Sequence, residues 1–498
     1  MPSIHVLGEY ALKIELSRDN SSMSLVDQIY FEILERIESR LLQKGALLPS
    51  VRKLAKDLNV SVVTVHKAYT RLAKEGYINI YKGKGAYINE RYENMKPNRE
   101  KGGDLSSFDW QQNIEDYIHR AQLVQHLQFS NPIQFATSVI YHKLLPTRFL
   151  AETMKLLVDN DPTILARYCE TQGDSELREE MQKFLNRVYR LHVPFENMMI
   201  TSGVQQGIDL VARSFIGPGD VVIMEQPCFT GAIDAMRGRG ANILTAPVKQ
   251  DGICLQTIEE ICDRLKPKLI YTNPTFQNPT GTVMSEQNRK TLLEIAEKYG
   301  ILIVEDDAVG DLYFDDEIPP KPIKYWDRNG HVIYLKGFSK PLSPGCRIAT
   351  LVASGVVFER LVAAKATADI CNPLLTQKAI LSFLRSDKMF PHLEKLRIAL
   401  EVRRDRLKNY FSTHLGDLIT YRQPQGGLNV WIELPCKYNA EQLLYKAVEH
   451  NVSFLPGSAC FVKDPQRNFI RLSFSSVSDK ELDEGAERFA NLIRSSLK

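Results

Sequence analysis

Short apolar segments between residues 221 and 353 constrain the fold of this chain most strongly. They are four to six residues long, and helical patterns alternate with them. Helices that alternate with short apolar strands are typical of an α/β domain with a largely parallel sheet. The predicted strands are Val221–Met224, Leu269–Thr272, Ile301–Glu305, His331–Leu335 and Ile348–Ala353.

The first ninety residues have a different pattern, in which three helical segments precede a short hairpin. Ser50 and Ser61 are side chains suited to cap the second and third helices. Three helices followed by two short strands predict a winged helix-turn-helix domain. The predicted elements are a helix over roughly 24–43, helices starting at Ser50 and at Ser61, and strands at 77–80 and 86–88.

The basic residues are concentrated in this first region. Residues 40–91 contain eleven lysines and arginines against three acidic residues, a net charge of +8 in a chain whose total is +3. Such a block indicates either a polyanion contact or an ordinary solvated face. On the third helix, Lys67, Arg71 and Lys74 are expected opposite the apolar side, where they would face the major groove. Lys82 and Lys84 in the wing would reach phosphates.

The stretch LLPSVRKLAKDLNVSVVTVHKAYTRLAKEGYINIYKGKGAYI, residues 47–88, resembles the GntR-type regulators. Val62 stands where many members carry arginine, so the resemblance implies DNA binding without implying a base preference. The residues at DNA-contacting positions of that family are Ser50, Arg52, Ser61, Thr64, Lys67, Arg71, Lys82 and Lys84.

Composition and length set the domain organisation and the expected compartment. The 498 residues are 44% apolar and 25% charged, which excludes a disordered chain, a collagen-like repeat and a disulfide scaffold. The eight cysteines include no C-x-x-C pair, so we expect reduced thiols and no metal site. We see no signal peptide and no membrane span, and we expect a cytoplasmic protein. The predicted domains are a DNA-binding domain at 22–90, a polar linker at 91–115 and an α/β domain at 116–498.

Candidate ligand-binding motifs follow the predicted strands, where α/β folds place their sites. Lys340 lies in GFSKPLSPGCR, and a lysine with a depressed pKa can form a Schiff base. Arg347, seven residues later, suits a phosphate. Taken alone each motif is weak, because a surface lysine, an ordinary helix start or a core aromatic would look the same. The other candidates are the helix start at Gly203–Gln205, the ring of Phe229, the amide of Asn278 and the carboxylate of Asp306.

The order and spacing of these motifs resemble the class I aminotransferases, which bind pyridoxal 5′-phosphate (PLP). A GntR-like head on such a body resembles the MocR subfamily of regulators. This resemblance implies an α/β aminotransferase-like domain of PLP fold type I, with a mainly parallel sheet, behind the winged helix-turn-helix domain. It also implies that Lys340 forms the Schiff base with PLP. The implied cofactor contacts are Asp306 to the ring nitrogen, Asn278 to the ring hydroxyl, Phe229 to the ring face, and Arg347, Ser339, Gly203, Val204 and Gln205 to the phosphate.

Two further roles and two departures follow from the same resemblance. Tyr168 matches a tyrosine that reaches the phosphate of the partner subunit, which implies a homodimer. Arg471 matches the arginine that binds an amino acid's carboxylate. Ala308 and Val309 stand where most relatives have a tyrosine near the ring hydroxyl, and Gly337 replaces a phosphate-binding serine or threonine. We therefore expect cofactor binding to be retained better than turnover.

Three interpretations remain open on the sequence. The first is a PLP-dependent transcription regulator that binds double-stranded operator DNA and senses an amine, an amino acid or PLP itself. The second is an active aminotransferase that carries a DNA-binding head. The third is a DNA-binding protein whose large domain is a dimerisation scaffold without cofactor, which the motif around Lys340 argues against.

Overall fold

The computed structural model describes residues 24–38, 42, 45–81, 85–89 and 133–496. The described residues form two compact units, one within residues 24–89 and one within residues 133–496. None of the helices in these ranges is long and apolar enough to cross a membrane.

The small unit contains three helices and a two-stranded antiparallel sheet. Ser50 Oγ accepts a hydrogen bond from Lys53 N at 3.2 Å, and Ser61 Oγ accepts one from Thr64 N at 3.1 Å. Both serines therefore cap helices as the sequence predicts. The elements are α1 (Leu25–Glu38), α2 (Val51–Asp57), α3 (Val62–Lys74), β1 (Ile78–Tyr81) and β2 (Gly85–Ile88).

Burial in the small unit follows the helical period. Ile29, Ile33 and Ile37 of α1 pack against Val65 and Leu72 of α3 in one apolar core. The winged helix-turn-helix arrangement is therefore present in the described residues. The structure describes α1 over Leu25–Glu38, and most of its predicted continuation to residue 43 lies outside the described residues. The wing tip with Lys82 and Lys84 and the predicted linker lie outside the described residues.

The large unit is built on an eight-stranded sheet in which most neighbours are parallel. The strand order is β4-β11-β10-β9-β8-β5-β6-β7, where β11 runs antiparallel to both neighbours and β7 is antiparallel to β6. The predicted mainly parallel sheet is confirmed. These strands are β4 (Met198–Thr201), β5 (Val221–Gln226), β6 (Asn242–Lys249), β7 (Gly252–Ile253), β8 (Leu269–Thr272), β9 (Leu302–Asp307), β10 (Val332–Gly337) and β11 (Ala349–Val352).

A smaller antiparallel sheet, of order β12-β13-β16-β15, forms a second lobe of the large unit. Its apolar face and the helices that cover it share one core, which includes Ile470, Phe474 and Phe489. The sheet places Arg471 in the middle of β16, opposite Trp431 on one side and Leu455 on the other. The strands outside the large sheet are β3 (Ile133–Gln134), β12 (Thr420–Tyr421), β13 (Asn429–Glu433), β14 (Val452–Ser453), β15 (Leu455–Pro456) and β16 (Phe469–Ser473).

Helices cover both faces of the large sheet. Apolar residues of the sheet lie in separate cores on its two sides, so the short strands are buried throughout. The helices are α4 (Thr147–Asn160), α5 (Ser175–Tyr189), α6 (Val204–Phe215), α7 (Thr230–Arg237), α8 (Leu255–Arg264), α9 (Glu286–Tyr299), α10 (Gly355–Ala368), α11 (Leu374–Arg385), α12 (Met389–His414), α13 (Ala440–Glu449) and α14 (Asp479–Ser496).

Candidate functional site

The carboxyl ends of the parallel strands open into a cavity of about 370 Å³. Strand β9 ends at Asp307, and β10 ends three residues before Lys340, so the register of the two strands brings their ends side by side. The sequence-predicted residues that line this cavity are Val204, Gln205, Phe229, Asn278, Asp306, Ser339, Lys340, Arg347 and Arg471.

Asp306 is a buried carboxylate at the base of this cavity, 4% exposed. Its Oδ2 accepts a hydrogen bond from the Tyr271 hydroxyl at 2.6 Å, and its main-chain oxygen accepts one from Asn273 Nδ2. Its Oδ1 is buried and has no hydrogen-bond partner among the described residues. Burial raises the pKa of Asp306 to about 7. A cation or an N–H donor bound in the cavity would satisfy the unpaired Oδ1 of Asp306.

Lys340 faces the same cavity from the loop after β10. Its Nζ donates a hydrogen bond to the Ser138 carbonyl oxygen at 2.5 Å. Burial, together with the positive charges of Arg471 and Arg347, lowers the pKa of Lys340 to about 8. A substantial fraction of this amine is therefore neutral near physiological pH, as a nucleophilic amine requires.

Arg347 and Gly203 form a cradle at the start of α6. The Arg347 guanidinium donates from Nη2 to the Ser202 carbonyl oxygen at 2.7 Å. Gly203 has φ of +76°, and a Cβ added there would lie 2.6 Å from Arg347 Nη2. Among the described residues no side chain caps this helix, so its first N–H groups have no side-chain acceptor. A guanidinium beside uncapped helix N–H groups is suited to bind an anion.

Arg471 and Asn278 come from different lobes and meet in the cavity. Arg471 Nη1 donates to Asn278 Oδ1 at 3.1 Å, and Nη2 donates to the Ala136 carbonyl oxygen at 2.6 Å. Its Nε is buried and has no hydrogen-bond partner within the part of the chain that the structure describes, and burial lowers the pKa of Arg471. A carboxylate that entered here would find a desolvated guanidinium with an unused donor.

Phe229 and Gln205 line the wall of the cavity beside the anion site. Gln205 Nε2 donates to the Gly231 carbonyl oxygen at 2.9 Å, which ties the start of α6 to the start of α7. A Cβ at Gly231 would lie 2.8 Å from the Phe229 ring, so glycine keeps the ring in place. The structure thus brings the predicted cofactor residues together in this cavity, apart from Gly203, which lies beside Arg347, and Tyr168, which is 82% exposed and does not line the cavity.

A buried polar network next to the site was not predicted from the sequence. Lys336 is fully buried, and its Nζ lies 2.8 Å from Asp311 Oδ2, 3.3 Å from Asp307 Oδ2 and 2.7 Å from the Tyr189 hydroxyl. The Tyr334 hydroxyl donates to the same Asp307 oxygen at 2.5 Å. Lys336 lies in an otherwise apolar strand. A single charged residue in a strand expected to be buried was the one sequence feature that could have indicated this network.

The roles of Tyr271, Ser138 and Ala136 were also missed. These residues serve the site through a hydroxyl on a buried strand and through two main-chain carbonyl oxygens. Carbonyl contacts do not depend on side-chain type, so the sequence carries no signal for them.

In the small unit the exposed basic residues lie on α2 and α3. Arg52, Lys53 and Lys67 are exposed. Arg71 differs from the expectation that it projects away from the bundle. Its guanidinium lies 2.8 Å from Asp27 Oδ1 of α1 and 3.8 Å from the centre of the Tyr30 ring, so it is half-buried between the two helices.

Comparisons with known proteins identify both units. The profile of the bacterial regulatory proteins of the gntR family matches residues 25–88, and that of aminotransferase class I and II matches residues 140–489. The chain belongs to the MocR subfamily. This subfamily joins a GntR domain to an aminotransferase-like domain of PLP fold type I, so both resemblances found in the sequence are confirmed.

Individual relatives represent both halves. The chain is 30% identical to YdfD, an uncharacterized HTH-type transcriptional regulator of Bacillus subtilis, over 94% of this chain and 96% of that one. It is 32% identical to aromatic-amino-acid aminotransferase 1 of Thermococcus litoralis, over 76% of this chain and 91% of that one. A solved α-aminoadipate aminotransferase of Thermus thermophilus, complexed with N-(5′-phosphopyridoxyl)-L-leucine, aligns with a TM-score of 0.73 at 31% identity, covering 78% of this chain and 99% of that one.

The residues in the cavity fit PLP. A PLP site needs a lysine amine, an acidic partner for the pyridine nitrogen and a phosphate cradle. Lys340 supplies the amine, Asp306 Oδ1 is the buried acceptor without a donor, and the cradle beside Gly203 would be filled by a Cβ. The aminotransferase fold and these groups together indicate pyridoxal 5′-phosphate as the cofactor.

Proposed function

We propose that this chain is a PLP-dependent, DNA-binding transcription regulator whose aminotransferase-like domain senses an amine, an amino acid or PLP. One observation carries the proposal: a single chain combines a winged helix-turn-helix unit with an exposed basic face and a cavity in which Lys340 and Asp306 fit the cofactor. The full-length match to YdfD supports it, because that relative is an HTH-type transcriptional regulator.

In the small unit, the exposed face of α2 and α3 is the proposed DNA surface. Lys67 and Arg52 are positioned to contact phosphates. Ser50 uses an oxygen lone pair to cap α2, which leaves its hydroxyl hydrogen available to a phosphate oxygen. Ser61 caps α3 in the same way, and its hydroxyl also pairs with the Thr64 hydroxyl at 2.7 Å, so these two hydroxyls are proposed to meet the DNA together. Thr64 and the wing residues Lys82 and Lys84 are proposed contacts of the same surface.

The cavity residues would hold PLP by the contacts they are placed to make. When bound, the cofactor supplies an electron-withdrawing ring that stabilises negative charge next to the amine nitrogen. Asp306 would accept a hydrogen bond from the protonated ring nitrogen and so keep the ring cationic, and Asn278 would hydrogen-bond the ring hydroxyl. Phe229 would cover the ring face. The proposed phosphate contacts are Arg347, Ser339 and the main-chain N–H groups of Gly203, Val204 and Gln205.

Lys340 is the proposed site of covalent attachment, and Arg471 the proposed site of effector recognition. The lowered pKa of Lys340 favours the neutral amine, which is the form that attacks a carbonyl carbon. Arg471 would exchange its bond to the Ala136 carbonyl oxygen for a bidentate bond to an effector carboxylate. An amino acid would then lie between Arg471 and the cofactor.

We also propose that the chain acts as a homodimer in the cytoplasm. The exposure of Tyr168 supports this, because a side chain outside its own cavity is free to reach the phosphate of the partner subunit. The proposed organisation is a DNA-binding domain at 22–90, a linker at 91–115 and an effector domain at 116–498. A dimer would place two heads on the two half-sites of one operator.

A second candidate is an active aminotransferase that carries a DNA-binding head. The nearly complete cavity and the 32% identity to an aminotransferase favour it. Ala308 and Val309 line the cavity where the resemblance places a tyrosine, which argues against efficient turnover.

Turnover and DNA binding are measured on the same PLP-loaded protein to separate the two. If the chain is a regulator, an amine or PLP should change the operator affinity, and keto-acid production should stay at or below one equivalent per site. If the protein instead turns over rapidly many times and no amine changes its operator affinity, the chain is an aminotransferase.

A further inference from the structure

We infer that Val63, with Val62 beside it, reads the methyl groups of thymine in the operator. The inference rests on the proposed DNA-binding function and adds which base the third helix selects. It starts from two large apolar side chains in the first turn of α3: Val62 is 49% exposed and Val63 is 61% exposed.

Val63 does not belong to the apolar core of the small unit, so packing there does not explain why this position is apolar. At about 100° per residue, it shares one side of α3 with Lys67, Thr70 and Lys74, all of which are exposed. The opposite side carries the residues that fill the core, Val65, Ala68, Tyr69 and Leu72. Val63 is therefore near the centre of the outward face, and Val62 lies at its edge.

The charges around the two valines favour duplex DNA as the occupant of this face. Lys67 lies one turn along the helix from Val63, and Arg52, Lys53 and Lys56 are exposed on α2. A cationic frame around an apolar centre complements phosphates on both sides of a groove. In helix-turn-helix proteins the first residues of the second helix of the motif contact base edges, and here those residues are the valines.

Valine can distinguish thymine from the other three bases. The C5 methyl of thymine is the apolar group that an unmodified base pair presents in the major groove. Valine has neither a donor nor an acceptor, so it gains free energy from burying that methyl. Against guanine, adenine or cytosine it would remove water from polar atoms without replacing the lost hydrogen bonds. Val62 stands where many relatives carry arginine, so this reading of thymine belongs to this chain's own residues.

Removal of single methyl groups from the DNA tests the inference directly. The probe is a duplex selected in vitro from a randomised pool by full-length, PLP-loaded protein, in which each thymine is replaced in turn by uracil. We expect about fourfold weaker binding at one or two positions in each half-site, the value of one buried methyl. Val63→Ala should weaken binding to the thymine duplex and should reduce the difference between thymine and uracil at one of those positions, because alanine buries less of the methyl.

Controls keep the outcomes separate. Val356→Ala removes a valine that is even more exposed, at 77%, from the first turn of α10 in the other unit and should change nothing. A selected duplex that binds thymine and uracil forms equally, or a Val63→Ala protein that keeps the full difference, would overturn the inference and leave the regulator function standing. If Val63→Ala changes the mass of the protein in solution and uracil has no effect, the valines form a protein contact. Failure to enrich any sequence would contradict the regulator function itself.

Discussion

Arg471 Nη1 lies 3.1 Å from Asn278 Oδ1, so the proposed effector-binding residue touches the proposed ring-binding residue. The first belongs to β16 of the small sheet, and the second follows β8 of the large sheet. A ligand that binds Arg471 would change the hydrogen bonding of Asn278 at the same time. The two lobes of the large unit are thereby linked at the point where an effector and the cofactor would meet.

Replacement of Arg471 by glutamine should weaken the binding of amino acids far more than the binding of simple amines. A charge-assisted pair is worth about 1.5–3 kcal/mol, which corresponds to roughly 10- to 150-fold in affinity. Spectroscopic titration of the PLP-loaded protein with L-amino acids, and with the matching amines that lack a carboxylate, measures the two effects. Equal losses for both series would show that Arg471 does not bind the carboxylate.

Lys340→Ala should abolish covalent attachment of PLP while weaker binding persists. Phe229 and Arg347 do not depend on the lysine and would still hold the ring and the phosphate. Borohydride reduction followed by peptide mass spectrometry checks this, with Lys143→Ala as an exposed control. A reduced adduct on any lysine in the Lys340→Ala protein would refute the assignment.

Lys336→Met should destabilise the large unit by about 3–5 kcal/mol, because Asp307 and Asp311 would lose their buried counter-charge. Lys298→Met, which removes an exposed lysine of α9, should have little effect. The denaturant midpoint of the large unit gives the comparison. Equal midpoints for both variants would mean that the Lys336 network does not stabilise the fold.

In the protein without cofactor, three buried carboxyl groups should contribute stability that is lost as the pH rises from about 4 to about 7. Burial raises the pKa of Asp306, Glu225 and Glu305 to about 7 each, so the folded state keeps protons that the unfolded chain releases. The stabilising contribution is complete below about pH 4 and is gone above about pH 7.

Asp306→Asn tests the share of this effect that belongs to the cofactor site. Its denaturant midpoint should fall less than that of the wild type between pH 4.5 and pH 7.5. Asp316→Asn, an exposed control, should follow the wild type. Parallel pH profiles for Asp306→Asn and the wild type would contradict the raised pKa of Asp306.

Lys67→Ala and Arg71→Ala should separate DNA contact from packing in the small unit. Lys67 is exposed, so its loss should weaken binding to all duplexes and reduce the slope of affinity against salt by about one. Arg71 pairs with Asp27 and stacks on Tyr30, so its loss should cost about 1 kcal/mol of stability. Thermal unfolding and salt titration of DNA binding are measured for both variants. If Lys67→Ala lost stability and Arg71→Ala reduced the salt slope, the two assigned roles would be wrong.

The fold could be predicted from local patterns because the spacing of apolar residues along the chain indicates which elements form and which of their faces are buried. Predicted and observed strands agree within about two residues, and β8 is identical at both ends. The ends shift where a polar residue continues a strand, as at Glu225 and Asp307, because both carboxylates are buried and bonded there rather than solvated.

Only the part of the site that belongs to sequence motifs could be predicted. Lys340, Asp306 and Asn278 each follow a strand, so their convergence was expected. The position of Arg71 was wrong in the helical projection, because that projection counts residues on one helix and ignores the acidic and aromatic side chains of α1. The contacts of Ser138 and Ala136 use main-chain atoms from a distant segment, which only the folded chain brings near.

The central claim, that ligands of the cavity control DNA binding, is tested most directly by operator affinity. Fluorescence anisotropy with the selected duplex would compare the protein with and without PLP, and then with a panel of L-amino acids and amines, in the wild type and in Arg471→Gln. Coupling of about 1–3 kcal/mol predicts a 5- to 150-fold change in affinity for at least one ligand. For an amino-acid effector the change disappears in Arg471→Gln, and for PLP it remains. An operator affinity that stays constant under every one of these conditions would contradict the account.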